Sequence, residues 1–177
     1  MDDKWVVYIS KAEIAQAVET LAAAIDHEYA GRSLVVVAVL KGAFIFVADL
    51  IRQMQTSVAR VELLRLASYG AGTTSSGQVE VLVDLPPGAV TDQHVLLVED
   101  IVDTGRSTTV AMKLLQEQHP ASVKLCSLLD KPSRRVVPVV IDYLGISIED
   151  KFVIGYGLDW DERYRDLPDI YVVEGGD

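Results

Sequence analysis

The chain has 177 residues, half of them hydrophobic, which is enough for one compact domain with a buried core and too few for two full-sized domains. Its 26 acidic and 16 basic residues give a formal net charge of -10, which repels nucleic-acid backbones and acidic membranes alike. The single cysteine, Cys126, excludes an intramolecular disulfide and fits a reducing compartment. We therefore expect a cytoplasmic protein that binds neither nucleic acid nor membrane.

The first third of the chain predicts a helix, a buried strand and a second helix. Ser10 and Glu13 match a capping box, and apolar residues then recur at helical spacing up to Gly31. The run LVVVAVL at residues 34–40 is typical of a strand buried on both faces, and the apolar face of residues 43–54 predicts a helix that returns across the sheet. This order indicates a parallel βαβ unit.

Two further strands are predicted on either side of a polar connector. Residues 58–67 and 79–85 are rich in β-branched and other apolar residues, as strands usually are. Residues 70–77, with the sequence GAGTTSSG, are small or polar and have nothing to bury. We expect this connector to be mobile.

A second cycle of strand, helix and strand follows at residues 95–98, 107–118 and 123–129. Two such cycles predict an α/β fold with a mainly parallel, twisted sheet flanked by helices. Short apolar pieces in the last part of the chain predict the end of the sheet and a small hood formed by the chain ends. These pieces are residues 139–141, 152–154 and 170–173. We expect a single domain over residues 1–177, with a hood contributed mainly by residues from about 145 to 177.

The segment that points to chemistry is VLLVEDIVDTGRST, residues 95–108, where an apolar strand ends in carboxylates before a glycine, hydroxyls and a helix. Ligands of open α/β sheets bind beyond the carboxyl ends of the strands. From Asp103 to Ser107 the backbone can curl so that successive N–H groups point at one anion, and Gly105 allows close approach. The spacings of a Walker loop and of a dinucleotide fingerprint are missing from this segment. The sequence therefore predicts a phosphate-binding loop and argues against a nucleoside triphosphatase or a Rossmann dehydrogenase.

This segment resembles the phosphoribosyl pyrophosphate signature of type I phosphoribosyltransferases, in which two adjacent acids follow a hydrophobic strand and precede a D-[TS]-G-x-[ST] loop. Further motifs, in order over nearly the whole chain, are similar to the hypoxanthine-guanine branch. They are LKG at 40–42, SYG at 68–70, LDK at 129–131, DKFVIGYGLD at 150–159 and YRDLP at 164–168. The resemblance implies a Mg²⁺-dependent purine salvage enzyme that joins phosphoribosyl pyrophosphate to hypoxanthine or guanine, giving IMP or GMP and pyrophosphate.

The resemblance implies roles for the acids and the loop after them. Glu99 and Asp100 would bind the ribose hydroxyls, directly or through magnesium, and Asp103 would be the general base that takes a proton from the imidazole ring of the purine. On the residues alone, two adjacent acids also fit a solvated turn, and Asp103 also fits a helix N-cap. The ribose phosphate would be bound by the next five residues, with Arg106 contributing mainly its backbone. They are Thr104, Gly105, Arg106, Ser107 and Thr108.

A pyrophosphate site is also implied by the resemblance. Lys41 and Gly42 would contact the pyrophosphate, with the Leu40–Lys41 peptide bond in the cis form, and Arg165 would bind the same group. Asp159 would bind a second magnesium ion beside it. The residues alone also fit a charged surface loop in this part of the chain.

Base recognition is the remaining role that the resemblance implies. Lys131 has three donors and no acceptor, so it can pair with the 6-oxo oxygen of hypoxanthine or guanine but not with the amino group of adenine. Phe152 would stack on the purine and Val153 would offer backbone groups to its edge, while Lys151 and Asp159 complete the set. Alternatively, Lys131 is a solvated lysine in a polar turn, and the pair Phe152 and Val153 belongs to the core.

Several interpretations stay open at this point. Ser68 and Tyr69 would begin a loop that closes over the reaction, although a floppy connector explains its composition equally well. We interpret Arg134 and Arg135 as surface charges. Two alternative functions are a phosphoribosyltransferase that prefers xanthine or another base, and a regulator that senses phosphoribosyl pyrophosphate and binds nucleic acid. Members of the family usually form dimers or tetramers, so we expect a homo-dimer or homo-tetramer.

Overall fold

The computed structural model describes residues 4–68 and 79–174, which form a six-stranded sheet, a three-stranded sheet and three α-helices. In chain order the elements are β1 (Lys4–Ile9), α1 (Lys11–Glu28), β2 (Ser33–Leu40), α2 (Phe44–Gln53), β3 (Ser57–Ser68), β4 (Val79–Val83), β5 (His94–Val102), α3 (Arg106–Glu117), β6 (Ser122–Asp130), a 3₁₀ turn (Pro132–Arg134), β7 (Tyr143–Ser147), β8 (Val153–Ile154) and β9 (Ile170–Glu174). The connector predicted at residues 70–77 lies outside the described residues, as does Tyr69.

The large sheet has the strand order β4-β3-β2-β5-β6-β7, and all neighbouring strands are parallel except β3 and β4. Helix α1 begins at the predicted capping box, in which Ser10 and Glu13 each accept a hydrogen bond from the backbone of the other. The predicted α/β fold with a mainly parallel sheet is confirmed. In such a sheet the carboxyl ends of the parallel strands lie along one edge, which places the ends of β2, β5 and β6 side by side.

The two central strands are buried on both faces because helices cover both faces of the sheet. Val36 and Leu96 belong to the apolar cluster under α1 and α2, and their neighbours Val37 and Leu97 belong to the cluster under α3. Side chains of a strand alternate between the two faces, so an uninterrupted apolar run is what a doubly covered strand needs. This burial fixes the position of β5, whose end carries the acidic residues.

The small sheet joins the two ends of the chain. Strand β9 lies between β1 and β8 and is antiparallel to both, so residues 4–9 pair with residues 170–174. The ring of Trp5 packs edge-on against that of Tyr164, with 4.4 Å between the centroids. This small sheet is the hood that the sequence predicted from the chain ends.

The sequence-based reading of the strands was wrong in two places. Residues 139–141 form no ladder, although Val139 packs against the apolar cluster under α3; the last strand of the large sheet is β7. Gly145 hid that strand, because glycine weakens a strand pattern, yet a Cβ there would lie 2.6 Å from the carbonyl oxygen of Leu128. Strand β1 was missed because its partner β9 lies at the other end of the chain.

None of the helices in residues 4–68 and 79–174 is long and apolar enough to cross a membrane.

Candidate active site

The ends of β2 and β5 meet at the carboxyl edge of the sheet. The Leu40–Lys41 peptide bond, which follows β2, is cis as predicted. Gly42 then faces Asp100 so closely that a Cβ on the glycine would lie 1.7 Å from the carboxylate oxygen Oδ2. Any other residue at position 42 would displace the carboxylate, so the packing requires glycine there.

Glu99 and Asp100 are part of β5 and do not form a solvated turn, so that alternative reading of the acids is wrong. The Glu99 side chain is only 4% exposed and accepts a hydrogen bond of 3.2 Å from the hydroxyl of Thr108 in α3. Asp100, the next residue, is half-buried and faces the opposite side of the strand, toward Gly42. The strand end therefore presents one carboxylate on each of its faces.

Burial raises the pKa of both carboxyl groups because removal from water disfavours the charged form. The pKa of Glu99 lies well above its ordinary value, first because of burial and then because of the charge of Asp100. Burial raises the pKa of Asp100 to about 6, and the backbone N–H of Ile101 and the charge of Arg165 act in the opposite direction. Hydrogen-bond donors or a cation brought by a ligand would favour the ionised forms of this pair.

The loop at residues 103–108, here called the phosphate loop, connects β5 to α3. The N-cap of α3 is Gly105, in the left-handed conformation with φ of 85°, so the reading of Asp103 as the helix cap is wrong. Thr104 and Ser107 are half-buried beside it, and Thr108 is buried. The first N–H groups of a helix have no partner within it, so this loop and helix start can bind an anion.

The carboxylate of Asp103 is paired with an arginine side chain and does not face only solvent. It accepts a hydrogen bond of 3.2 Å from Nε of Arg134, and Nη1 of the same arginine lies 3.8 Å from Asp150. Arg135 donates to the backbone oxygens of Asp103 and Val102 and contacts Asp130. The interpretation of the two arginines as surface charges is therefore wrong for Arg135, whose side chain is 17% exposed, and incomplete for Arg134.

Lys131 follows β6 and is buried, with 8% of its surface exposed, so it is not a solvated lysine in a polar turn. Its backbone N–H donates to the carbonyl of Val102, 3.0 Å away, which fixes the residue beside the end of β5. Burial lowers the pKa of the ammonium group, and the charges of Asp103 and Asp150 oppose that shift. Within the described ranges Nζ of Lys131 forms no hydrogen bond or ion pair, so its donors are free for a ligand.

The hood supplies a second set of charges from residues 157–165, here called the hood loop. Arg165 contacts Asp159 at 2.8 Å and Glu162 at 3.3 Å, and the same oxygen of Glu162 lies 2.7 Å from Nζ of Lys41. A Cβ on Gly157 would lie 2.1 Å from the carbonyl oxygen of Gly42, so the two loops touch through their backbones. Lys41 is thus brought close to Asp159 and Arg165, although it lies more than 100 residues before them in the sequence.

The residues predicted to bind the base differ in exposure and in their contacts with the rest of the predicted site. Phe152 is 48% exposed and lies edge-on to Trp160, with 5.9 Å between the ring centroids, so the reading of it as a core residue is wrong. Val153 is buried in β8. Lys151 pairs with Glu149 at 2.7 Å and lies over the ring of Tyr8, so its ammonium group contacts none of the other predicted site residues. Ser68 ends β3, and its side chain is not described.

Three contacts at this edge were missed by sequence reasoning. Arg134, Arg135 and Glu162 each touch a residue or a backbone segment of the predicted site. Arg135 could not be identified from spacing alone, because only the fold returns this arginine to the edge where β5 ends. No local pattern marked Glu162, since it lies among several exposed charges.

No group of three or more histidine, cysteine or acidic side chains that could bind a metal by itself occurs in residues 4–68 and 79–174. Mg²⁺ usually retains several waters and binds through one or two carboxylates together with substrate phosphates. Asp100 and Asp159 are close enough for their charges to interact, and Glu99 lies beside Asp100. These acids therefore fit a magnesium ion that a phosphorylated ligand brings with it.

Comparisons with known proteins agree with this arrangement. Residues 8–161 match the family model described as a phosphoribosyl transferase domain. The chain is 41% identical over 166 residues to hypoxanthine phosphoribosyltransferase of Escherichia coli, and the match covers 93% of this chain and 92% of that protein. It is also 41% identical over 168 residues to the bifunctional protein TilS/HprT of Listeria innocua, covering 95% of this chain but spanning only 26% of the length of that protein.

The fold is shared with a solved structure. A hypoxanthine-guanine phosphoribosyltransferase of Bacillus anthracis superimposes with a TM-score of 0.89 at 38% identity, covering 97% of this chain and 99% of that one. The family match extends over most of the chain, and the relative from Escherichia coli is a hypoxanthine phosphoribosyltransferase, as the solved structure is a hypoxanthine-guanine phosphoribosyltransferase. The chain therefore belongs to the phosphoribosyl transferase family, in its hypoxanthine-guanine branch.

Proposed function

We propose that the chain transfers the phosphoribosyl group of phosphoribosyl pyrophosphate to hypoxanthine or guanine, giving IMP or GMP and pyrophosphate in purine salvage. The observation that supports this most directly is the position of Lys131. Lys131 is a buried residue whose ammonium group has no partner among the described residues, and it lies close enough to Asp103 in the phosphate loop for their charges to interact. A donor for a 6-oxo group, a base and an anion site thus share one edge of the sheet.

The ribose phosphate would bind at the phosphate loop. Backbone N–H groups at the start of α3 and the hydroxyls of Thr104 and Ser107 would surround its oxygens, and Gly105 supplies the left-handed turn from which the helix starts. Thr108 would act differently from the prediction, because its hydroxyl already donates to Glu99. Arg106 would contribute mainly its backbone, as the resemblance implies.

Glu99 and Asp100 would accept hydrogen bonds from the ribose hydroxyls, and Asp100 with Asp159 would face magnesium. Their raised pKa values show that the free chain disfavours both charges, so a ligand that supplies hydroxyl donors stabilises the ionised forms. Mg²⁺, when bound, would supply charge neutralisation for the departing pyrophosphate.

Lys41, Gly42 and Arg165 would bind the pyrophosphate. Lys41 and Arg165 both contact the same carboxylate oxygen of Glu162. The two cations therefore lie close enough together to bind one anionic oxygen. The buried Nε of Arg165 has no hydrogen-bond partner within the described residues. A pyrophosphate oxygen would satisfy the cations in place of the glutamate carboxylate.

The purine would lie between Phe152 and the phosphate loop. Phe152 would stack on it, backbone groups of Val153 would meet its edge, and Lys131 would donate to the 6-oxo oxygen. Asp103 would take the imidazole proton while the base attacks the anomeric carbon from the side opposite the pyrophosphate, so that carbon inverts. We retain Lys151 and Asp159 as members of the base-binding set, although Lys151 would have to leave Glu149 first.

We propose a single domain with the hood formed mainly by about residues 145–177, a homo-dimer or homo-tetramer, and a reaction in the cytoplasm. Ser68 and Tyr69 would begin a loop that closes over the reaction. The chain is acidic overall, and no basic surface was apparent in its sequence, which disfavours the nucleic-acid-binding regulator.

A mixing assay tests the proposed reaction. The chain is incubated with phosphoribosyl pyrophosphate, Mg²⁺ and, in separate reactions, hypoxanthine, guanine, xanthine or adenine, and nucleotide formation is measured. We expect product with hypoxanthine or guanine, and much less with adenine, because adenine presents a donor to Lys131. Preference for xanthine would support the sibling enzyme, and tight binding of phosphoribosyl pyrophosphate without turnover of any base would support the regulator.

A further inference from the structure

The phosphate loop is fixed from one side by the segment after β6, residues 131–139, here called the buttress segment. Arg135 is its central residue. Its Nε donates to the carbonyl oxygen of Asp103 at 3.0 Å, and its Nη2 donates to that of Val102 at 3.3 Å. Nη2 also contacts the carboxylate of Asp130, at the end of β6. One guanidinium group therefore joins two consecutive carbonyls, the last of β5 and the first of the phosphate loop, to the neighbouring strand.

Backbone contacts extend this arrangement by one residue. The N–H groups of Val136 and Val137 both donate to the carbonyl oxygen of Thr104, each at 3.0 Å. A Cβ on Gly105 would lie 2.5 Å from the carbonyl oxygen of Val137 and 3.1 Å from Cδ of Arg135. The buttress segment thus contacts three consecutive carbonyls, those of residues 102–104, and the glycine that follows them.

The direction of these carbonyls determines the direction of the N–H groups that would bind phosphate. In a trans peptide the C=O and the N–H of one unit point to opposite sides. When the carbonyls of Val102, Asp103 and Thr104 turn toward the buttress segment, the N–H groups of Asp103, Thr104 and Gly105 turn away from it. None of these three N–H groups donates a hydrogen bond within the described part of the chain. They form the free, aligned set of donors that an anion needs.

We propose that Arg135 is the positioning residue of the phosphate loop, oriented by Asp130 and acting through the main chain without touching the ligand. This inference rests on the proposed function and names a determinant of its ribose-phosphate site. Arginine suits the position because its planar group has donors at fixed angles, whereas lysine offers a single point charge. Replacement by lysine would retain the ion pair with Asp130 and lose the bridge to two carbonyls.

The test separates the 5-phosphate site from the pyrophosphate site. Affinities for ribose 5-phosphate and for pyrophosphate with Mg²⁺ are measured by NMR titration in Arg135→Lys and Asp130→Asn, with the exposed Arg32→Lys as the matched control. We expect ribose 5-phosphate to bind about 10- to 100-fold more weakly in Arg135→Lys, and to a lesser degree in Asp130→Asn. Pyrophosphate affinity should stay within about twofold in both, because its site is built on the other loops.

A merely structural ion pair would give a different result. Equal weakening of both ligands in step with a lower melting temperature, or unchanged ribose 5-phosphate affinity in both variants, would overturn the role of Arg135. Nucleotide formation by the unchanged chain is assayed in parallel, so its absence would count against the proposed reaction. The inference itself is decided by the split between the two affinities.

Discussion

Two acidic regions meet at the edge of the sheet, and their environments are opposite. At the end of β5, Glu99 and Asp100 are withdrawn from water, and neither forms an ion pair within the described residues. In the hood loop, Glu162 is exposed and is paired with Lys41 and Arg165. Glu99 and Asp100 therefore need a cation or a hydrogen-bond donor from a ligand, whereas Glu162 already has two cationic partners within the chain.

This difference indicates how the two regions would contribute to one site. Buried, unpaired charges are costly in the free chain and strengthen interactions with any cation or donor that arrives. Exposed pairs are worth about 0–1 kcal/mol and exchange partners readily. We therefore expect substitutions at the end of β5 and in the phosphate loop to have large effects, and those in the hood loop to have small ones.

The largest effect is expected for Asp103→Asn, which removes a base at the reacting end. Turnover with hypoxanthine should fall by about 10²- to 10⁴-fold, while phosphoribosyl pyrophosphate still binds. Steady-state kinetics and equilibrium binding measure the two quantities. Asp150→Asn is the matched control, because it removes the other carboxylate near Arg134 and should leave turnover nearly unchanged. Equal turnover in both variants would show that Asp103 is not the base.

The next effect concerns the buried acids themselves. Glu99→Gln combined with Asp100→Asn should weaken binding of phosphoribosyl pyrophosphate with Mg²⁺ by about 10²-fold or more, because two charged acceptors are lost. Calorimetric titration measures this affinity. Unchanged affinity in the double variant would place the sugar elsewhere on the chain.

The same burial predicts a pH dependence of stability for Asp100. Its pKa is raised to about 6 from an ordinary value of 3.8, so the folded chain holds this proton more tightly than the unfolded chain does. The free energy of unfolding that protonation adds is fully present below about pH 4 and is lost as the pH rises through 6. In metal-free buffer, Asp100→Asn should therefore unfold with a free energy about 1–3 kcal/mol higher than the unchanged chain at pH 8, and the gain should shrink toward pH 4. Denaturant unfolding at the two pH values measures this difference. If Asp100→Asn is less stable than the unchanged chain at pH 8, burial of the charged carboxylate does not destabilise the fold.

A smaller loss is expected for Lys131→Met, which removes every donor of the lysine side chain. The ratio kcat/KM for hypoxanthine should fall about 10- to 100-fold, while the affinity for phosphoribosyl pyrophosphate hardly changes. The exposed Lys113→Met serves as the control. If the preference for hypoxanthine over adenine stays the same in Lys131→Met, the lysine does not recognise the base.

The smallest effect is expected in the hood loop. Glu162→Gln frees Lys41 and Arg165 from their internal anion, so pyrophosphate should bind about two- to fivefold more tightly. Asp161→Asn removes a neighbouring exposed acid and should leave the affinity unchanged. Weaker pyrophosphate binding in Glu162→Gln would mean that the glutamate aligns the two cations instead of competing for them.

Local patterns were sufficient where one stretch of sequence determines its own structure. The capping box at Ser10, the buried run at residues 34–40 and the phosphate loop were predicted because periodicity, capping and glycine placement act over a few residues. Strands β1 and β7 were not, since pairing between distant segments and the close approach at Gly145 decide them.

The site shows the same division. Glu99, Asp100 and Asp103 were predicted from a short motif, but their burial and pairing depend on residues that follow later in the chain. Arg134 and Arg135 were read as surface charges because only the fold brings the buttress segment back to the end of β5. Such contacts come from tertiary structure, which propensity and spacing do not contain.

A crystal structure of the chain with phosphoribosyl pyrophosphate and Mg²⁺ tests most directly whether one sugar diphosphate joins the two regions. We predict the 5-phosphate against the N–H groups of residues 104–108, the ribose hydroxyls at Glu99 and Asp100, and the pyrophosphate between Lys41 and Arg165 in place of Glu162. A 5-phosphate bound away from the phosphate loop, or a pyrophosphate that leaves the contact between Lys41 and Glu162 intact, would contradict that arrangement.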